Sequence, residues 1–398
     1  MSRWDGPYSS AILSLAKEFA LNNRVFYIDH PFTIKDFITR YSTKEIQLRK
    51  DALLSGKNIF ENPIGFPEKF VAVTPQPVLP VNFLPEGNLY DFLSAMNDKI
   101  IFSAIRKTIR EFKIRRFIFL NSFNPFYARN FPGDISPELI IYQTRDDISQ
   151  AKYAARHGVR LETEWVKNAD IVFATSKELT KAKSAINPNT FHLPNAADVD
   201  LFRMAQNKEL PKPRELAHLT GKIILYMGNI GWARVDFPLL RKIALANKEW
   251  TLLLVGPTDS EEHINAGLDK MPNVVFTGAK KMDELPAYVA HADCTLIPFQ
   301  CNTLTKSIYP LKINEYLAAG KPVVTTKFSD DILEFHEVAY LAGGHEEFLK
   351  MIEKSMQEDS PQRQQLRIKV AEQNSWKGRA WLFWETVGKY MQQAPYGN

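Results

Sequence analysis

The chain has 398 residues, of which 45% are apolar and 24% charged; that is room for two domains of ordinary size, in the proportions of a soluble globular protein. No apolar run reaches the roughly 18 residues that would cross a membrane, and Met1–Gly6 carries no apolar signal core. The net charge of +5 is too small to argue for nucleic acid. Cys294 and Cys301 give neither a metal-ligand spacing nor a disulfide framework, so both are expected as small buried residues in a reducing compartment, the cytoplasm.

The chain opens on Trp4-Asp5-Gly6-Pro7-Tyr8-Ser9-Ser10, a glycine-containing turn into an amphipathic helix over 11–22, followed by a strand over 24–29. Such a turn begins a Rossmann-like unit, but the strand expected ahead of it is absent or reduced to Met1–Arg3. From about Pro31 to Pro85 the pattern is irregular and rich in proline and aromatics; a loop-rich cover over the sheet and a stretch that shapes a ligand pocket are both open. A helix follows over 92–112 with an apolar stripe of Ile101, Ile105, Ile109 and Phe112. The basic surplus concentrates just there: in Arg106–Arg116, Arg106, Lys107, Arg110, Lys113, Arg115 and Arg116 face only Glu111. An ordinary solvated face is the plainer reading of that stretch, and contact with an anionic membrane the alternative.

The strand 116–120 ends in Asn121-Ser122-Phe123-Asn124, and the next, 139–142, ends in Gln143-Thr144-Arg145-Asp146-Asp147. Ligands of open α/β sheets bind beyond the carboxyl ends of strands, so Asn121, Asn124 and Asp146 are candidates for one side of a site; for Asp146 and Asp147 capping of the helix that follows weighs equally. A strand over 171–176 with its helix, then Phe191–Asp198, closes the first domain (1–206), and Asn207–Thr220 is predicted as linker.

The βαβ pattern then restarts in a second domain, 221–370. A strand over 222–227 turns at Gly228-Asn229-Ile230-Gly231-Trp232 into a helix bearing Arg234 and Asp236; the glycines admit a phosphate to the backbone and Arg234 adds a charge-assisted fork. Strands over 251–255, 274–278 and 293–299 lead to the stretch Thr303–Thr326. It reads as a polar loop to Ser307, a helix led in by Pro310 and stopped by Gly320, and a buried strand from Pro322. A helix N-terminus fed by a polar loop suits an anion. Lys306 and Lys312 bracket that terminus, and Glu315 is an acceptor-only group that can take two hydroxyls. An ordinary strand–helix unit has the same pattern. Ser329-Asp330-Asp331, a strand over 338–341 and a helical tail over 371–398 complete the chain.

Thr303–Thr326 resembles the donor-nucleotide segment of the GT-B glycosyltransferases, α/β enzymes with two Rossmann-like domains facing a central cleft. Glu162…Ala169-Asp170-Ile171-Val172-Phe173-Ala174-Thr175-Ser176 and Leu193-Pro194-Asn195-Ala196-Ala197-Asp198 resemble the end of their first domain. Within that group the chain looks nearest to bacterial teichuronic-acid-type enzymes of surface-polysaccharide assembly. The resemblance implies transfer of a sugar from a nucleotide sugar, UDP-sugar first, to an acceptor hydroxyl of a glycan or lipid-linked acceptor. It implies retention of configuration, no metal and no cofactor, a cytoplasmic place at the inner membrane face, and a tail crossing back to the first domain. The donor nucleotide would lie on Gly228, Asn229, Gly231, Arg234, Gly278, Lys306, Ser307, Ile308, Lys312 and Glu315, with Glu315 on the ribose and the 279–282 loop on the base. The acceptor side would be lined by Gly6, Asn121, Asn124 and Asp146; Arg234, Lys312, Asn124 and Asp146 would act in catalysis. Two departures stand out: Ser307 holds the place of a second glutamate, and asparagines stand where a histidine is usual. A GT-B-fold protein that binds without transfer, or a nucleotide-sugar 2-epimerase, are the alternatives.

Overall fold

A computed structural model describes residues 3–6, 10–150, 152–207 and 210–393. They fall into two compact units: the first takes in residues up to Thr175 with Leu179–Leu193 and the end of the chain from Phe383, the second Ser176–Glu178 and Pro194–Leu382.

The first unit runs α1 (Ala11–Asn22), β1 (Val25–Ile28), α2 (Ile34–Thr39), α3 (Lys44–Leu48), α4 (Lys50–Ser55), β2 (Phe60–Glu61), β3 (Phe70–Val73), α5 (Asn88–Glu111), β4 (Ile118–Ser122), β5 (Leu139–Thr144), α6 (Lys152–Asn168), β6 (Ile171–Ala174), α7 (Lys177–Ser184), whose Lys177 and Glu178 go with the second unit, and β7 (Thr190–His192). The stretch expected to be irregular holds three short helices and two strands. Its local signals are caps rather than periodicity: Thr33 and Asp36 close a capping box at α2, and Gly56 ends α4 in the left-handed region at φ +63°. The strands make two sheets, β1-β3-β2 and the all-parallel β4-β5-β6-β7, so β1 and β4 are each an edge strand. Of the strand expected ahead of β1, Met1 and Ser2 lie outside the described residues, as do Pro7–Ser9 of the opening turn, and Arg3 is not in a strand. The expected tail reaches this unit from Phe383 onward, where Phe383 packs on Phe19 and Phe173 at 4.6 and 4.8 Å between ring centroids.

The second unit runs α8 (Val199–Arg203), β8 (Lys222–Met227), α9 (Phe237–Ala246), β9 (Trp250–Val255), α10 (Glu262–Asn265), β10 (Val274–Gly278), α11 (Leu285–Ala290), β11 (Cys294–Ile297), α12 (Thr303–Lys306), α13 (Leu311–Ala318), β12 (Val323–Thr326), β13 (Tyr340–Ala342), α14 (His345–Gln357), α15 (Pro361–Gln373) and α16 (Trp376–Gln393), whose end joins the first unit. Its six strands are all parallel in the order β10-β9-β8-β11-β12-β13. The order reverses beside β8, as in a doubly wound sheet, and β8, β9 and β11 are almost wholly buried, as strands covered on both faces must be. The expected linker is part of this unit: Leu216 is fully buried in its core, and Glu215 accepts from Lys280 and from the Tyr288 hydroxyl. Cys294 is buried as expected, but Cys301 is exposed.

Candidate functional site

In the second unit the predicted residues converge at the carboxyl end of β8. Gly228 follows that strand at φ +132°, a conformation that L-residues rarely adopt. Its amide donates to Val255 O at 2.7 Å, and a Cβ at the neighbouring Gly256 would lie 2.0 Å from Gly228 O, so two glycine turns pack backbone against backbone. Lys312, in the first turn of α13, reaches over Gly228 and sets its ammonium near the faces of Tyr226 and Phe299, 5.8 and 5.7 Å from their centroids. Glu315 lies one turn on and is 8% exposed.

Burial pushes Glu315 up to about 7; Lys312 works against that shift and Asp198 adds to it. Burial likewise brings Lys312 down to about 8, opposed by Glu315 and reinforced by Arg234. Desolvation disfavours the charged form of each, and each partner restores part of it. A polyanion arriving at this helix N-terminus would favour the cation and meet the positive end of the helix dipole.

The supports of α13 are side chains that sequence reasoning left unassigned. The Tyr316 hydroxyl accepts from Met227 N at 2.8 Å, tying α13 to the end of β8. Asn195 Nδ2 donates to Tyr309 O at 3.3 Å, and Arg379 Nε to Pro194 O at 3.0 Å, fixing the chain that enters the helix. Their signal is indirect: Asn195 lies in the Leu193–Asp198 run that carried the resemblance.

Three expectations change. The stretch 303–307 is not an open loop but the short helix α12, capped by Asn302, whose turn consumes the amides of Lys306, Ser307 and Ile308. Ser307 is 3% exposed and gives its hydroxyl to Leu304 O at 2.8 Å, while Ile308 is buried. Lys306 pairs with Glu178 at 3.1 Å. Arg234 is not on a helix: it stands exposed in the turn before α9, which begins only at Phe237 with Asp236 as its cap. Asn229 is exposed in the same turn, Gly231 is buried against the Asp259 carboxylate, and Gly278 ends β10 at φ +69°. Of the aspartates beyond β12, Asp331 is fully buried and accepts the Lys177 amide at 3.1 and 3.2 Å.

In the first unit Asn121 is buried and spends its amide on a turn, donating to Asn124 O at 3.0 Å and accepting from Asn124 N at 3.1 Å. Phe123 between them sits at φ +55°, which that closure enforces. Asn124 Nδ2 lies 3.5 Å from His30 Nδ1, so a histidine reaches this strand end from β1, which no spacing in the sequence discloses. Burial drops His30 to about 3, keeping it neutral. The Arg3–Gly6 turn docks on the end of β1 through Trp4 N to Asp29 Oδ1 and Arg3 Nε to His30 O. Asp29 is held by Arg49, which also forks onto Asp5 at 2.7 Å. Asp146 stands half-buried beyond β5, while Asp147 caps the following turn by accepting from Ser149. Of the basic stretch, Arg106 is forked onto Asp134 and Arg116 is paired with Glu138, whereas Arg110, Lys113 and Arg115 are exposed.

Residues 221–358 match the family described as glycosyl transferases group 1. Over 224 residues the chain is 27% identical to TuaH of Bacillus subtilis (strain 168), named as a teichuronic acid biosynthesis glycosyltransferase; the match takes in 54% of this chain and 56% of that relative's length. Among solved structures, sucrose-phosphate synthase from Thermosynechococcus elongatus aligns with a TM-score of 0.63 at 14% identity over 96% of this chain and 93% of that one. Anabaena Alr3699/HepE in complex with UDP and glucose gives 0.59 at 17% over 96% and 97%. An E. coli trehalose-6-phosphate protein bound with UDP-2-fluoro glucose gives 0.65 at 10% over 99% and 98%. Sheet order, family match and these likenesses agree: the chain has the GT-B fold, and its residues 221–358 match the glycosyl transferases group 1 family.

Proposed function

We propose that the protein is a glycosyltransferase that moves a sugar from a nucleoside-diphosphate sugar to an acceptor hydroxyl in bacterial polysaccharide or glycoconjugate assembly. The observation that carries the reading is the Gly228–Lys312–Glu315 arrangement in the matched residues: a glycine turn, a cation directly over it, and a carboxylate one helical turn away. Lys312 and Arg234 would stabilise charge on the departing diphosphate, the electrostatic contribution that usually dominates such transfers. Glu315 would accept from the ribose hydroxyls. In this reading no metal is needed and configuration at the sugar is retained. Asn124, His30, Gly6 and Asp146 would line the acceptor side, whereas Asn121 acts by shaping the turn. We place the protein in the cytoplasm, at the inner membrane face if Arg110, Lys113 and Arg115 meet anionic lipid; no helix among the described residues is long and apolar enough to cross a membrane.

One observation favours a second reading, a GT-B protein that binds a nucleotide sugar without transfer: Ser307 turns inward to Leu304 O and offers no carboxylate. Calorimetric titration with UDP, GDP, dTDP and their sugar conjugates tests the donor site, and UDP comes first because a HepE complex of this fold is with UDP and glucose. Micromolar binding of one diphosphate, tighter than its nucleoside, is expected; absence of binding to all of them removes the donor site.

A further inference from the structure

Trp232 is 60% exposed, and the turn that carries it is fixed carbonyl by carbonyl. Gln300 Nε2 donates to Trp232 O at 2.8 Å and to Val235 O at 2.9 Å, Gln300 N donates to Arg234 O at 2.8 Å, and Asn302 Nδ2 to Ala233 O at 3.3 Å. The flanking Ile230 and Val235 are fully buried and bridge to Thr258 and Phe299. An isolated exposed apolar residue is ordinary on a protein surface. Here, though, the backbone is pinned on both sides, so the largest apolar side chain is presented to solvent by a rigid support.

Its place along the sheet suggests what it meets. The strands run β10-β9-β8-β11, so from β10 to β11 the carboxyl edge spans about 14 Å at ordinary strand spacing, enough for an extended nucleotide sugar. With the diphosphate over Gly228 and Lys312 at β8, the sugar extends to one side of that strand, and the β11 side is the one that offers it an exposed aromatic ring. That is where Gln300 and Asn302 hold Trp232. A pyranose offers a C–H face and a rim of hydroxyls; an indole offers a flat apolar face, and Asn229, exposed three residues earlier, offers a polar group for the rim.

We propose that Trp232 is the stacking platform for the sugar ring of the nucleotide sugar, a specificity-determining residue that rests on the donor-site reading above. It makes no demand on the nucleotide itself, and that separates the two ideas experimentally. The full-length protein would be titrated calorimetrically with UDP, GDP and dTDP and then with the glucose, galactose and N-acetylglucosamine conjugates of whichever diphosphate binds. Trp232→Ala is expected to leave the diphosphate within twofold of wild type while weakening the preferred conjugate by about five- to tenfold. Trp232→Phe, which keeps a flat ring, is expected to retain most of the affinity and guards against a folding defect in the alanine variant. An equal loss for diphosphate and conjugate, or no loss for either, overturns the platform while leaving the donor site standing. A wild-type protein that binds none of these ligands overturns the donor site and the platform together.

Discussion

The side chain of Lys312 fills the space that a side chain at position 228 would need: a Cβ built on Gly228 would lie 2.1 Å from Lys312 Cε and 2.6 Å from its Nζ. Glycine at the end of β8 therefore serves two ends, a backbone at φ +132° and room for the cation. Gly228→Ala is predicted to strain the turn and displace Lys312, lowering affinity for a nucleoside diphosphate at least tenfold by calorimetry. Unchanged affinity would mean that the turn is not where the diphosphate sits.

Lys312→Met keeps the bulk of the side chain and removes the charge. Loss of a charge-assisted contact costs about 1.5–3 kcal/mol, so the diphosphate should weaken by roughly ten- to a hundredfold while the nucleoside is nearly unaffected. A variant that binds both as wild type does would free Lys312 from this role.

Glu315→Ala should weaken UDP but not inorganic pyrophosphate, because only the former carries ribose hydroxyls. The same pair predicts a pH dependence. Glu315, raised to about 7, loses its carboxylate as pH falls through that value; Lys312, lowered to about 8, loses its charge as pH rises through that one. Affinity of the free protein for UDP should therefore peak between about pH 7 and 8 and fall on both sides. Glu315→Gln should flatten the acid limb and, by removing the charge that holds Lys312 up, move the alkaline limb to lower pH; titrations from pH 5.5 to 9.5 would show both.

In the first unit, Arg49 has a side chain 1% exposed and joins Asp5 to Asp29. Burial lifts Asp29 to about 6 even with Arg49 and the Trp4 amide pulling it down. Arg49→Met should destabilise the protein by about 3–5 kcal/mol, since it strands a buried carboxylate. Urea unfolding would measure this, and adding Asp29→Asn should recover part of the loss. Equal stabilities of Arg49→Met and the double variant would contradict the coupling.

The basic stretch gives a prediction that the ion pairs sharpen. Arg106 and Arg116 are engaged with Asp134 and Glu138, so binding to anionic liposomes in low salt should depend on Arg110, Lys113 and Arg115. Replacing those three with glutamine should abolish sedimentation with vesicles, and a wild-type protein that stays in the supernatant removes the membrane contact.

Much of the second unit was legible in the sequence because its signals are local. Buried, mostly apolar runs mark β8, β9, β11 and β12, Gly228 and Gly320 mark the places where the backbone takes a positive φ, and Pro310 marks the start of α13. Lys312 and Glu315 followed from helical spacing once that start was placed. What stayed hidden depends on side chains that meet only after folding. Ser307 was read as part of an open loop because its polarity says nothing of its partner, Leu304 O, or of the cap that Asn302 supplies. The helices of 34–55 were missed because segments of five or six residues carry caps but no full period. His30 and Asn124 lie 94 positions apart and come together only because β1 and β4 end side by side. The sequence by itself determined the order of strands and helices and the residues able to carry charge at their ends. Tertiary structure decided which of those charges are already taken, Lys306 by Glu178 and Arg106 by Asp134, and which stand over a glycine turn, because pairing depends on distance in space and not along the chain.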